Sequence, residues 1–348
     1  IMAQTTISDL WTPDIWIQGV AEKAKAFPTL LNSPVVVNAP LFDTIASGAG
    51  VAANIPFYKD ITDDTDGIQV EDSAPTPGEI TSGKQVTPIL NRVKAYDVTA
   101  LAAQVSGAMP DPVGEILNQL AAGRMKRRQR TLVSVLRGAF GGGDDSKDSA
   151  SELTSMRVEA FDETGLDATS EQKMSADLFI TAKALLGELA DNLIGGAILT
   201  HPNIVAQLEI LDKESFKNGV ESGLPFTVRT YRGVPIYTSN LLVRAGTSNG
   251  YVYETYILTA GCVGFGAKAQ SSRVGDVAHL IVDETQIAKN NLTVYDRNRY
   301  LMHLNGMKWV GTPSGQSATD AELATIANWD LAFSSADRVG GVLIRTNG

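Results

Sequence analysis

Three short stretches of this 348-residue chain place residue types at spacings that could do chemistry. In GEITSGKQ, residues 78–85, two glycines five apart precede Lys84. That is the layout of a loop whose backbone amides cradle phosphate while the lysine reaches the terminal phosphates. The hydroxyl that should come next and hold magnesium is Gln85 instead, and Pro75, Pro77 and Pro88 deny the strand-turn-helix such a loop needs. The reading is a solvated turn. In TDDTDG, Asp64, Asp66 and Gly67 take the third, fifth and sixth places of a calcium loop. Thr62 then stands first and Ser73 twelfth, where a bidentate glutamate is required, so this too reads as a solvated acidic turn. The third stretch, AAGRMKRRQRTLVSVLR (121–137), packs Arg124, Lys126, Arg127, Arg128, Arg130 and Arg137 into under five helical turns. Its chemistry is phosphate or carboxylate contact.

Nothing else nominates a reaction. There is no His-Glu-x-x-His pair. His201, His279 and His303 are scattered, which argues against a histidine metal site, and His201 before Pro202 reads as a polar cap at a helix start. The single Cys262 excludes an internal disulfide and a cysteine zinc cluster, and suits a reducing compartment. No catalytic residue, metal ligand or cofactor is expected. The chain has no apolar run of ~18 residues and no basic-then-apolar leader, so no membrane partner is expected. Ile1 ahead of Met2 reads as a leftover residue or a processed end.

The formal net charge is -10, so a basic helix in this chain makes a local patch rather than a generally DNA-binding surface. Stepping 100° per residue from Leu117 puts Val113, Leu120, Ala121, Leu132, Val135 and Ala139 on one stripe. Lys126, Arg130 and Arg137 fall opposite, while Arg124 and Arg128 fall inside the apolar stripe. Burying two unpaired guanidiniums costs several kcal/mol each, so that stripe either faces carboxylates mid-helix or leaves the core. Three readings stay open: a long exposed helix with some charge, Arg124 and Arg128 paired with acids of another segment or subunit, and Lys126, Arg130 and Arg137 facing DNA. The last two are compatible. A helix-turn-helix regulator is not expected, because glycines end the basic helix directly.

The elements that must position these residues can be read from pattern. Residues 1–55 read as an extended arm: a short helix from Pro13, then apolar runs cut by Pro34, Pro40, Gly48 and Gly50, without a core of their own. NIPFYKDI and KQVTPILNRVKAYDVTAL read as strands flanking an acidic, Pro/Gly-rich excursion that lacks the apolar content to fold alone. A helix is predicted over 112–140, with Pro112 at its start and Gly141-Gly142-Gly143 ending it, roughly 43 Å long. After a polar linker, Thr169 and Gln172 fit a capping box for a second helix carrying Met174, Leu178, Leu185 and Leu189. GGAILTHPNIVAQLEIL reads as strand, turn and helix, and FTVRTY-RG-VPIYTS as two strands joined at Arg232-Gly233. YETYILTAGCVGFG and the stretch from LIVDET to GMKWVG add strands, and the tail gives a short helix and a last strand.

In this order, LTHPNIVAQL, YRGVPIYTSNL, YILTAGCVGFG, DRNRYLMHLNGMKWVG and ATDAELATIANW make the chain resemble the major capsid proteins of tailed phages. The resemblance covers nearly the whole chain, and its motifs are loose patterns rather than catalytic signatures. It implies an α+β fold of the Hong Kong 97 type. The N-terminal arm would be 1–55, the extended loop 56–96, and the peripheral domain 97–194 with its spine helix 112–140. The axial α/β domain would be 195–269, with peripheral strands at 270–311 and a C-terminal segment at 312–348. It implies self-assembly through hexamers and pentamers into an icosahedral head shell, made in a bacterial host's cytoplasm and residing in the virion. Partners would be a portal protein, scaffolding and decoration proteins in some members, and packaged double-stranded DNA touched without sequence preference. Without a coiled-coil-like leader, a separate scaffolding protein or none is expected, unless Ile1 is itself a cleavage product. Lys84 stands where some members carry an isopeptide lysine, without a matched partner here.

On this resemblance Lys126, Arg130 and Arg137 are the candidate DNA-facing residues. Arg124 and Arg128 are candidates for ion pairs between subunits, with Asp63, Asp64, Asp66, Glu71 and Asp72 of the acidic excursion. The rival functions are an encapsulin-type compartment shell of the same fold and a cytosolic DNA-binding protein or enzyme using the basic helix.

Overall fold

The structure, a computed structural model, describes residues 29–59, 79–99, 112–141, 152–162, 169–212, 216–219, 228–248, 250–268, 279–281 and 291–347. Two sheets and one long helix organise them. The first sheet is built on the 14-residue strand β14 (Asn291–Leu304). The strand β4 (Leu90–Thr99) pairs antiparallel with it over ten positions, from Asn291↔Thr99 to Tyr300↔Leu90. Strands β12 (Val263–Ala267) and β13 (His279–Ile281) also pair antiparallel with β14, and β1 (Val36–Asn38) adds to β12 in parallel. The second sheet has eight strands. Its path runs β5 (Arg157–Ala160), β17 (Gly341–Thr346), β11 (Tyr251–Leu258), β6 (Ala197–Thr200), β9 (Val234–Thr238), β8 (Val228–Tyr231) and β7 (Phe216–Gly219). The remaining strand, β10 (Val243–Ala245), pairs with β11.

The buried strands β6, β9 and β17 are apolar nearly throughout, as strands covered on both faces must be. Between β8 and β9 the turn residues Arg232 and Gly233 have φ of 50° and 85°. That is the left-handed geometry a two-residue hairpin needs, and it agrees with the turn expected at Arg232-Gly233. The helix Pro202–Leu211 comes after β6, with Pro202 at its start, as the sequence indicates.

The long helix runs Pro112–Phe140, the span predicted from Pro112 and the glycines after Phe140. Its C-terminal half is buried on every side: Leu132, Val133, Val135, Leu136, Ala139 and Phe140 all belong to the main core. Gly138 marks its closest contact. A Cβ there would lie 2.0 Å from the Leu323 carbonyl oxygen and 2.5 Å from the Trp329 indole nitrogen. Those atoms are themselves joined, Trp329 Nε1 donating to Leu323 O at 2.8 Å. The helix therefore lies flush against the short helix Asp320–Leu323 and the strand β16 (Trp329–Leu331), which pairs with β15 (Met307–Trp309).

Several elements differ from the sequence reading. Residues 29–50, expected in an arm without a core, are built into the body. Leu30, Val35 and Ala46 are fully buried, β1 joins a sheet, and Phe42 of the helix Pro40–Ser47 lies where a Cβ on Gly264 or Gly266 would be. Residues 1–28 are outside the described set. Gln172 Oε1 does accept from the Thr169 backbone at 2.9 Å, but that box closes only the 3-10 turn Ser170–Gln172. The α-helix itself is Ala176–Ala184, capped by the Ser175 hydroxyl, and Leu189 falls in a separate 3-10 segment, Gly187–Gly195. Lys173, extended at ψ 154°, is where the continuous periodicity breaks. The eight-stranded sheet also draws on more of the chain than 195–269, because β5 and β17 complete it. Conversely β12, inside that span, belongs to the other sheet.

Residues 82–88 form strand β3 (Ser82–Pro88), antiparallel to β2 (Ala52–Tyr58), not a solvated turn. Gln85 is buried. Its Oε1 accepts from the Gly306 amide at 3.1 Å and meets His303 Nε2, and its Nε2 donates to Asn305 Oδ1 at 3.2 Å. This amide fixes the hairpin to the body.

Candidate functional site: the arginine-bearing helix and its cleft

The six cations of the helix meet four different environments. Alternation along β14 turns Asp296, Asn298 and Tyr300 to one face, and that face receives the helix. Asp296 is fully buried, and it takes Arg124 Nη2 on Oδ1 at 2.6 Å and Arg127 Nη2 on Oδ2 at 2.6 Å. Asn298 Nδ2 donates to the same Oδ1 at 3.1 Å. The acid that Arg124 needs is thus present in its own chain, shared with Arg127, the residue three further on.

Arg128 has aromatic neighbours instead. Its guanidinium lies 5.2 Å from the Phe265 ring centre and 5.4 Å from that of Tyr300. Its Nε is buried without a hydrogen-bond partner, and among the described residues it makes no ion pair. Burial first, and then the charge of Arg124, hold its pKa below the ordinary guanidinium value. Stacking on two rings compensates part of that desolvation.

Arg137 corrects the helical-wheel expectation. It does not face outward. Its Nε donates to Glu254 Oε1 and Oε2 at 3.1 and 2.8 Å, and its Nη2 donates to the carbonyls of Leu241 and Val243, each at 3.0 Å. Glu254 stands on β11 with no solvent exposure. Burial pushes its pKa up, with Arg137, Arg244 and Arg345 pulling against it. Burial alone would lower the Arg137 pKa, but Glu254 and Tyr256 raise it on balance. The physical reason for the correction is the second sheet: it covers the side of the helix that periodicity alone leaves to water. Arg137 is removed from the DNA-facing set. Lys126 is partly exposed and Arg130 exposed, as a surface role requires. Asp63, Asp64, Asp66, Glu71 and Asp72, together with the TDDTDG stretch, lie outside the described residues. His201 is the cap expected of it: its Nδ1 accepts from the Asn203 amide at 3.2 Å, and burial lowers its pKa.

Asp296 and Glu254 were not singled out by motif. Their signal was available, a lone carboxylate inside a strand of aromatic and aliphatic residues, YVYETYIL for one and NLTVYDRNRYLMHL for the other. Such an acid implies a buried counter-ion.

Beside the helix opens a cleft of about 1090 Å³. Six cations line it: Arg92, Arg124, Arg128, Lys268, Arg297 and Arg299. Asp43 is the one carboxylate among its described lining residues, and Asp43 Oδ1 accepts from the Ala267 amide at 2.9 Å. Arg299 closes one wall by donating to Ala46 O at 2.8 Å and Gly50 O at 3.0 Å, just past the helix Pro40–Ser47. Among the described residues no cluster of His, Cys, Asp and Glu could hold a metal, and no helix is long and apolar enough to cross a membrane.

No family model matches the chain, and no curated protein does. Solved structures do match. The Cyanophage Pam1 capsid is 11% identical, with 99% of this chain and 98% of that chain covered and a TM-score of 0.56. The capsid of Ralstonia phage GP4 is 8% identical, with the same coverage and a TM-score of 0.57. The capsid of the native GTA particle is 11% identical, covering 94% of this chain and 96% of that one, with a TM-score of 0.55. At these identities the likeness is one of fold, and it spans nearly the entire chain.

Proposed function

We propose that this chain, which has the fold of phage capsid proteins, is the major capsid protein of a tailed double-stranded DNA phage. It assembles through hexamers and pentamers into the icosahedral head shell and resides in the virion. The observation that carries this reading is the end-to-end fold likeness to assembled capsids, covering 99% of this chain in two of them. The exposed apolar residues of the β2–β3 hairpin and of β4 support it. Tyr58, Ile80, Val93 and Tyr96 are accessible among the described residues, apolar surface of the kind that a neighbouring copy covers.

Within this reading the division is of the Hong Kong 97 type. The eight-stranded sheet is the axial part, the β14 sheet with the long helix is the peripheral part, and the β2–β3 hairpin is the extended loop. Lys126 and Arg130 face packaged DNA through sequence-independent phosphate contact that salt weakens. A portal protein, and scaffolding and decoration proteins where used, are the further partners. The protein acts structurally, not as an enzyme.

Size-exclusion chromatography and negative-stain imaging of the purified chain test the proposal. Closed particles in the void volume are the expected result. A small oligomer at every concentration would overturn it. Nuclease-protected DNA in particles from infected cells separates a head shell from a compartment that holds protein cargo.

A further inference from the structure

The turn after β14 carries an Asn-Gly pair, Asn305-Gly306. Glycine is required in its second place. Gly306 has φ of 87°, and a Cβ there would lie 2.5 Å from Phe333 Cδ2. Its carbonyl is fixed as well, accepting from the Ala332 amide at 2.8 Å. Asparagine followed by glycine is open to a spontaneous reaction, because no side chain shields the nitrogen after the asparagine. Gly306 N loses its proton and attacks Asn305 Cγ. The new N–Cγ bond closes a cyclic imide, the Cγ–Nδ2 bond breaks, and Nδ2 takes up a proton and leaves as ammonia. Water then opens the imide. Cleavage of the new bond gives aspartate, and cleavage of the original peptide bond gives isoaspartate.

Gln85 grips both groups that would react. Its Oε1 accepts from the Gly306 amide at 3.1 Å, and its Nε2 donates to Asn305 Oδ1 at 3.2 Å. The partners fix which way this amide points: a backbone N–H only donates, so the oxygen faces Gly306. Asn305 is exposed, but Gly306 and Gln85 are buried. Removing the Gly306 proton here would leave a buried nitrogen anion against the lone pairs of Gln85 Oε1, with no water to stabilise it. The reaction is blocked at its first step. The residue that blocks it is not local: Gln85 stands on β3, 220 residues before Asn305. The block therefore lasts only while the β2–β3 hairpin stays seated on the body. Two further contacts hold it there. Phe57 of β2 meets Phe333 edge-on with ring centres 5.3 Å apart, and His303 Nε2 meets Gln85 Oε1.

We infer that Asn305-Gly306 is a self-deamidation site that the seated β2–β3 hairpin keeps silent through Gln85. When the hairpin lifts, water and hydroxide reach Gly306 N and deamidation follows. The isoaspartate product adds a methylene to the backbone at the point where Gln85 and Ala332 hold Gly306, so the hairpin cannot seat again as before. The modification is an irreversible mark of a chain whose hairpin has left the body. It needs no partner molecule and stands apart from the capsid reading.

Incubating the full chain at mildly alkaline pH, folded and in urea, tests the inference. Peptide mass spectrometry and isoaspartate content report deamidation at Asn305. The folded chain should react far more slowly than the chain in urea. Gln85→Met keeps much of the side-chain volume and removes the amide. It should raise the folded rate by about tenfold, the worth of one hydrogen bond at the upper end of the usual range. Phe57→Ala loosens the hairpin and leaves Gln85 in place, so it should raise the rate too, and it serves as the test if Gln85→Met does not fold. Gly138→Ala, on the long helix, should leave the rate unchanged. Equal rates folded and in urea, or no rise in the hairpin variants, overturn the inference. An equal rise in Gly138→Ala also overturns it, because global unfolding would then be the route.

Discussion

Replacing Arg137 with Met tests whether the helix is held between the sheets by its buried ion pair. The substitution keeps most of the aliphatic stem and removes four hydrogen bonds: two to Glu254, at 3.1 and 2.8 Å, and one each to Leu241 O and Val243 O. Breaking one partner out of a buried pair costs about 3–5 kcal/mol, chiefly because the other charge stays buried without compensation. Glu254 has a way out that Arg137 lacks: it can take up a proton. Its pKa already lies above the ordinary carboxylate value because of burial, and loss of Arg137 removes the strongest pull in the other direction.

Proton counts set the sign. Between the unfolded and the folded pKa, the folded chain holds a proton that the unfolded chain has lost. Stability therefore falls as pH rises, by ~1.4 kcal/mol per unit over that window. In Arg137→Met the window reaches to higher pH, so the cost of the substitution should be smaller at pH 5 than at pH 8. Urea unfolding of the unassembled variant at pH 5, 6.5 and 8, beside the unaltered chain, measures this from the midpoint at constant m. Glu254→Gln is the control, since Arg137 cannot shed its proton and its cost should not vary with pH in this way. A loss below ~1 kcal/mol, or one that is equal at all three pH values, would refute the argument that this pair is a buried structural link.

Gly138→Ala should lower stability by about 1–3 kcal/mol, read as a lower thermal midpoint, because the new methyl would sit 2.0 Å from Leu323 O. His303, buried against Gln85, titrates at about 4 instead of 6.5, so its contribution is complete above pH 6.5 and is lost as pH falls towards 4. That limb amounts to ~3 kcal/mol, and His303→Gln should flatten it in unfolding measured across pH. Glu322 accepts from the Thr319 amide at 2.7 Å and the Ser314 amide at 2.8 Å, and these bonds hold its pKa at about 2. Its cap should persist above the ordinary carboxylate value and open as pH falls towards 2, and Glu322→Ala should speed hydrogen exchange at those two amides at neutral pH.

The features that the sequence determined by itself are local. Pro112 and the glycines after Phe140 bound the long helix, because proline is tolerated only in a first turn and glycine ends the run. Arg232-Gly233 specified the hairpin and His201 the cap, each through contacts within a few residues. Thr169 and Gln172 did form their box, yet the helix waited for Ser175, since a capping box fixes one turn and not the conformation of the residues beyond it. The tertiary structure decided everything that depends on which element covers a surface. Periodicity says which side chains share a face of the helix; it does not say that a second sheet lies over the face carrying Arg137. Nor does it say which strand brings an acid to Arg124. Asp296 is 172 residues from Arg124 and Glu254 is 117 from Arg137, separations over which spacing carries no information. Arg128 shows the same limit: its charge was legible, but the aromatic floor from Phe265 and Tyr300 exists only once β12 and β14 are paired.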